Sequence, residues 1–126
     1  MRIFAVKTFT RFQRRERIAE RALVRAIARA ENGLVDADLG GGIVKLRVAR
    51  KGEGKSGGYR TIVAYRRGDR AVFLYGFAKS DRANLDAKEL LRLRTQGTAL
   101  MKFDESRFED MLLDGEVTEL KNDDAD

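Results

Sequence analysis

Between residues 43 and 78 the chain reads as three consecutive strands whose connections leave room only for hairpins. Val44, Leu46 and Val48 alternate with Lys45, Arg47 and Ala49, the period-two pattern of a strand with one buried and one cationic face. Tyr59 to Arg66 form the next run, and Ala71 to Ala78 the most hydrophobic one. Arg67-Gly68-Asp69-Arg70 is a tight turn, and the glycine-rich stretch 50–58 reads as a flexible basic hairpin loop. A parallel crossover needs a dozen or more residues, so these strands are expected to pair as an antiparallel meander.

Helical periods flank the meander. Residues 2–7 read as a short first strand, followed by a short helix burying Phe9 and Phe12, with Thr8 or Thr10 as its cap. From about 16 to 31, Ile18, Ala19, Ala22, Leu23, Ala26, Ile27 and Ala30 make one apolar stripe, and Asn32-Gly33 supplies a left-handed stop. Arg17, Arg21, Arg25 and Arg29 step by four along the other side, a row that is either a solvated face or a contact for RNA or an acidic partner. Residues 36–42 read as a turn-rich loop. Beyond residue 82 the helical period returns: Asp86 and Glu89 have capping-box spacing, and Leu90, Leu93, Gly97, Leu100 and Met101 line the inner side. A short helix at about 105–113, an edge strand within 115–120 and a disordered end at about 121–126 complete the expectation. With 126 residues, no internal repeat and no linker, residues 1–126 are expected to form a single α+β domain.

Composition removes whole classes of chemistry. Cysteine and histidine are both absent, so disulfides, thiolate zinc sites, cysteine nucleophiles and histidine acid–base catalysis are excluded, and no metal or other cofactor is expected. No apolar run approaches the roughly 20 residues that span a bilayer, and the first residues do not read as a signal peptide, so a cytoplasmic protein with no membrane partner is expected. Residues 1–82 hold 20 Lys/Arg against 8 Asp/Glu, whereas residues 83–126 hold 6 against 12. A basic body with an acidic tail points to a polyanionic partner, nucleic acid or ribosome, for the body.

Gly54-Lys55-Ser56 resembles the end of a phosphate-binding loop, but Ala49 stands where the leading glycine belongs and a strand follows instead of a helix. The informative constellation is instead cationic. Lys45 and Arg47 share a strand face, Arg60 opens the next strand, and Lys79 with Arg82 closes the third. Such a set either binds phosphate alone or cleaves RNA through the RNA's own 2′-hydroxyl. Cleavage needs a base, charge stabilisation and a proton for the 5′ oxygen; a lysine among other cations can act as base, while arginine, which stays protonated, stabilises the transition state. A histidine-free site of this kind needs an external scaffold such as the ribosome to present the RNA in line.

The runs Leu39-Gly40-Gly41-Gly42-Ile43-Val44-Lys45-Leu46-Arg47-Val48-Ala49-Arg50, Gly52-Glu53-Gly54-Lys55-Ser56-Gly57-Gly58-Tyr59-Arg60-Thr61 and Tyr75-Gly76-Phe77-Ala78-Lys79-Ser80-Asp81-Arg82-Ala83-Asn84-Leu85 resemble the HigB-like branch of the RelE/ParE toxin superfamily. The resemblance is close over roughly 40–90. It implies a RelE-like fold, with an N-terminal strand and helical hairpin packed on an antiparallel β-meander with a C-terminal helix. It also implies a toxin of a type II toxin-antitoxin system: a metal-independent, ribosome-dependent mRNA endoribonuclease (an mRNA interferase) that inhibits translation. Its partners would be the ribosome, mRNA and a cognate antitoxin with a helix-turn-helix domain, with operator DNA reached only through that antitoxin. Residue by residue, Lys45, Arg47, Arg60, Lys79 and Arg82 become the candidate catalytic set, and Arg50, Lys51 and Lys55 the candidate RNA-binding set.

The chain departs from the pattern at one point. RelE-type enzymes stack the substrate base on a tyrosine of the final helix, and the matching stretch here, Asn84-Leu85-Asp86-Ala87-Lys88, has no aromatic residue. Tyr59 and Tyr65 are the substitutes to consider, but alternation along their strand sets them opposite Arg60. Three rival readings stand beside the endoribonuclease: a ParE-like toxin that inhibits DNA gyrase, a non-catalytic RNA- or ribosome-binding module, and a degenerate toxin that only binds its antitoxin.

Overall fold

The computed structural model describes residues 1–50 and 57–121. Six strands form one mixed sheet: β1 (Arg2–Val6), β2 (Ala37–Gly40), β3 (Ile43–Arg50), β4 (Gly58–Arg66), β5 (Arg70–Ala78) and β6 (Val117–Leu120), in the order β2-β3-β4-β5-β1-β6. Among the described residues four helices accompany them: α1 (Lys7–Glu16), α2 (Glu20–Glu31), α3 (Ala87–Lys102) and α4 (Glu105–Leu113). The antiparallel meander is β3-β4-β5, with Arg47 opposite Arg60 and Arg60 opposite Phe77. β1 joins it in parallel beside β5, and β6 lies antiparallel on the outer side of β1.

The two faces of the sheet carry different helices. On one face α1 sets Phe9 against Phe73, ring centroids 4.9 Å apart, and Phe12 edge-on to Tyr59 at 5.7 Å. α2 comes next on that face and closes over β3, with Leu23, Ala26, Ile27 and Ala30 buried. The other face holds α3. Gly97 sits so close to the sheet that a Cβ there would come within 2.2 Å of the Ile43 Cδ1, so the helix seats at its glycine. Two arginines of the sheet close the helix's C-terminal end: Arg70 donates to the Phe103 carbonyl at 2.6 Å and Arg66 to the Met101 carbonyl at 3.0 Å. Positive charge there satisfies the orphan carbonyls and complements the helix dipole. The N-terminal end has the expected capping box, with the Asp86 side chain accepting from the Glu89 amide and Glu89 from the Asp86 amide.

Several local expectations are corrected. The helix read from about 16 starts at Glu20, because Arg17 adopts a left-handed conformation (φ 56°) that ends α1. Ile18 and Ala19 therefore lie in the corner between the helices, where Ile18 is still buried. The cap of α1 is Val6, without a side-chain hydrogen bond; Thr10 is buried inside the helix and pairs with the Thr118 hydroxyl at 3.1 Å. At the end of α2 the left-handed residue is Gly33 (φ 86°), while Asn32 has φ −92°. The Leu34 amide reaches the Arg29 carbonyl and the Gly33 amide that of Ala30, a Schellman closure that favours glycine. Within the loop expected at 36–42, Ala37–Gly40 pair with β3 as a strand. The basic hairpin loop falls largely on 51–56, and the expected disordered end on 122–126; both lie outside the described residues.

Candidate nucleic-acid interface

Strand pairing turns the scattered cations into two adjacent rungs on the face that α3 partly covers. One rung runs Arg47–Arg60–Phe77 across β3, β4 and β5; the next runs Lys45–Ile62–Tyr75. Side chains directly opposite on neighbouring strands stand about 5 Å apart at Cβ, so Arg47 and Arg60 face each other as like charges. Arg60 is 5% exposed. Burial, and then the Arg47 charge, lower its pKa from the usual arginine value, with Asp36 opposing them. Arg47 is itself held: its backbone amide donates to Asp36 at 2.6 Å, and its guanidinium lies 3.4 Å from the same carboxylate. Lys45 is half-buried on the next rung. Among the described residues, Asp36 is a carboxylate that faces this group of cations.

Arg82 has a different assignment. Its guanidinium forms a paired contact with Glu89, 2.8 Å from Nη1 to one oxygen, and donates to the Asn84 carbonyl at 2.8 Å from Nη2. It also lies over the Phe77 ring, 5.4 Å from the centroid, and reaches the Tyr75 hydroxyl at 3.4 Å. The Arg82 bond, followed by the Asp86 amide, pulls the Glu89 carboxyl down to about 2, and Glu89 in turn raises the pKa of Arg82. Arg82 therefore fastens the start of α3 to the end of β5, beside the rungs. Lys79, two residues beyond Phe77, is exposed, and its amide donates to the Gly58 carbonyl at 3.0 Å, so it continues the ladder at the strand's end. Arg50 stands on the opposite face, its guanidinium 5.6 Å from the Tyr59 ring. Lys51 and Lys55 lie outside the described residues.

Tyr59 and Tyr65 face away from Arg60, as their alternation requires. Tyr59 packs on Phe12, and the Tyr65 hydroxyl donates to Glu31; burial, and then that bond, push Tyr65 up to about 12. The aromatic pair on the cationic face is Tyr75 and Phe77, centroids 6.1 Å apart. Sequence reasoning overlooked it. Regular alternation from the turn would have set Tyr75 and Phe77 on the face of Phe73; a register shift between Ile62 and Val63, which the sequence pattern does not announce, brings them opposite Ile62 and Arg60. Phe77 is buried under Arg82, whereas Tyr75 keeps part of its ring exposed.

An antiparallel meander backed by a helical hairpin, with a rung of arginines beside an aromatic pair on its other face, defines a small basic α+β protein. A family model described as the RelE toxin of the RelE/RelB toxin-antitoxin system matches residues 1–120, and the chain belongs to that family. Membership makes it a toxin of a toxin-antitoxin system, with an antitoxin as its partner. No curated protein matches the chain. Among the described residues no helix is long and apolar enough to cross a membrane, and no group of three or more acidic side chains is placed to hold a metal ion.

Proposed function

We propose that this toxin is an mRNA endoribonuclease that acts on the ribosome, in the cytoplasm, and cleaves through the RNA 2′-hydroxyl. The observation that carries the reading is the Arg47–Arg60 rung with Lys45 on the rung beside it. Opposed like charges weaken a strand pair, and burying one of them adds a desolvation cost. A phosphate seated between them offsets both, and the offset grows as the phosphorane gathers negative charge, which is the condition for catalysis rather than mere binding. Guanidiniums stay charged, so the proton exchange is assigned to Lys45, beside the two arginines, rather than to them. Tyr75, part-exposed on the same rung as Lys45, offers the flat surface for a splayed base that the start of α3 lacks.

Positioning is left to the scaffold. The site has no metal-binding cluster among its described residues and no histidine, so the ribosome would supply the in-line geometry, an effect worth several kcal/mol. The test is to induce the wild-type chain and its Arg60→Ala and Lys45→Ala variants, then map mRNA 5′ ends within minutes. New ends within translated messages, reduced on the order of 100-fold in each folded variant, are expected. Growth arrest with intact mRNA would replace this reading with a gyrase-directed toxin, and tight RNA binding without cleavage would leave a binding module.

A further inference from the structure

Where β2 stops, side chains complete the edge of β3, and one of them also touches the arginine rung. β2 begins at Ala37, opposite Lys45, and the Asp36 amide adds one more bond, to the Lys45 carbonyl at 3.1 Å. Two residues further along β3, Arg47 turns both its N–H and its carbonyl toward the side that β2 no longer covers. The N–H donates to the Asp36 Oδ2 at 2.6 Å, and the carbonyl accepts from the Arg29 guanidinium of α2 at 2.8 Å. Main-chain groups at a sheet edge need partners, and here two side chains of opposite charge provide them.

Asp36 makes a second contact with the same residue. Its other oxygen, Oδ1, lies 3.4 Å from the Arg47 Nε, the guanidinium nitrogen nearest the chain. One carboxylate therefore grips Arg47 at its main chain and at the base of its fork. Both side chains are part-exposed, so Coulomb attraction alone would hold the guanidinium weakly. The short main-chain bond fixes the carboxylate first, and the fixed carboxylate then orients the guanidinium. A long side chain that is already held loses less freedom when it meets its target, and the far end of the fork is the end that meets an oxyanion with paired hydrogen bonds. Asp36 also acts on the other arginine of the rung: its charge opposes the burial and the Arg47 charge that lower the Arg60 pKa.

A carboxylate in this place has two opposite effects on a phosphate. Its charge repels the phosphate as RNA binds, whereas the alignment it gives Arg47 matters most when the phosphorane gathers charge. Taking the rungs as the cleavage site, as proposed above, we infer that Asp36 is a positioning residue: it holds the Arg47 guanidinium in line for the reacting phosphate, while its own charge weakens the binding of RNA.

The test uses the full chain in excess over ribosomes programmed with a short labelled message, in single turnover, which gives the cleavage rate at saturation and the half-saturating toxin concentration. Asp36→Asn keeps an oxygen to accept from the Arg47 amide and removes the charge that holds the guanidinium. Asparagine matches aspartate in shape, so the fold is preserved, which circular dichroism checks. The rate at saturation should fall on the order of tenfold, while the half-saturating concentration falls several-fold. In an Arg47→Ala background there is no guanidinium to hold, and Asp36→Asn should then change the rate at saturation by less than about twofold. A wild-type chain that leaves the message intact overturns the cleavage reading and this role with it. Cleavage by the wild type at a rate that Asp36→Asn does not change overturns the role of Asp36 alone. So does a slower rate joined to weaker binding, or an equal loss with and without the Arg47 side chain, because Asp36 would then serve the edge of β3 and not the guanidinium.

Discussion

At Arg17 a side chain occupies a conformation that glycine takes more cheaply. Its amide donates to the Arg14 carbonyl and the Ile18 amide to the Gln13 carbonyl, the same closure that ends α2 at Gly33. The left-handed region costs an L-residue about 1 kcal/mol or more, and Arg17 accepts that cost at the corner between α1 and α2. Arg17→Gly should therefore raise the unfolding free energy by about 0.5–1 kcal/mol, after the added freedom of the unfolded chain is subtracted. Urea denaturation checks this, and a loss of stability would mean that the Arg17 side chain contributes more than its backbone costs. The residue scale is also where the site was most legible. Alternation placed Lys45 and Arg47 on one face and sent Tyr59 and Tyr65 to the other. It could not say that Arg82 would turn to Glu89, because two residues seven apart across a loop meet only once α3 is seated on the sheet.

Elements in this molecule are joined by a few tight contacts, and these give sharp expectations. A Cβ on Gly76 would lie 2.5 Å from the Phe12 Cε2 and 3.1 Å from the Phe9 Cε1, so β5 and α1 meet there without a side chain between them. Gly76→Ala must displace two packed rings and should destabilise the fold by about 1–3 kcal/mol, read as a lower urea midpoint at unchanged slope. The join between β5 and α3 is electrostatic. Glu89 is ionised down to about pH 2 in the folded state, against 4.5 ordinarily, because Arg82 and the Asp86 amide hold its carboxylate. A depressed carboxyl stabilises above its unfolded pKa, and that contribution is lost as pH falls through the folded one. The melting temperature of Glu89→Gln should thus lie below wild type at pH 7, with the gap closing between about pH 4.5 and 2. A gap that persists at pH 2 would assign the effect to packing. Helices α3 and α4 were readable because their caps are written locally, as Asp86 with Glu89 and as Asp104 with the Arg107 amide. β2 was not: Ala37–Gly40 has no strand-like pattern and becomes a strand only because β3 offers an edge.

For the whole molecule, the sequence's split between a basic body and an acidic end resolves into contacts across the fold. Arg2, on β1, reaches Glu105 at 2.6 Å, Glu109 at 2.8 Å and Glu119 at 2.8 Å, so carboxylates of α4 and β6 close around the first strand. β1 is thereby an interior strand assembled from remote parts, and this sets an order of folding. Arg66 and Arg70 meet across a turn, whereas Arg2 and Arg70 must close 68 residues. Loop-closure entropy makes the second contact about 2.5 kcal/mol dearer than the first, so the meander should form before β1 and β6 dock. The same small deletion placed in each part separates them. Ile62→Val, in the buried centre of β4, and Ile3→Val, in β1, each remove one methylene from the core and should cost about 1 kcal/mol. In stopped-flow urea chevrons the Ile62 change should slow folding, while the Ile3 change should speed unfolding and leave the folding limb nearly in place. Equal slowing of folding by both would mean that β1 is already paired with β5 at the barrier, so the parallel join, rather than the meander, would nucleate the sheet that carries the cationic face.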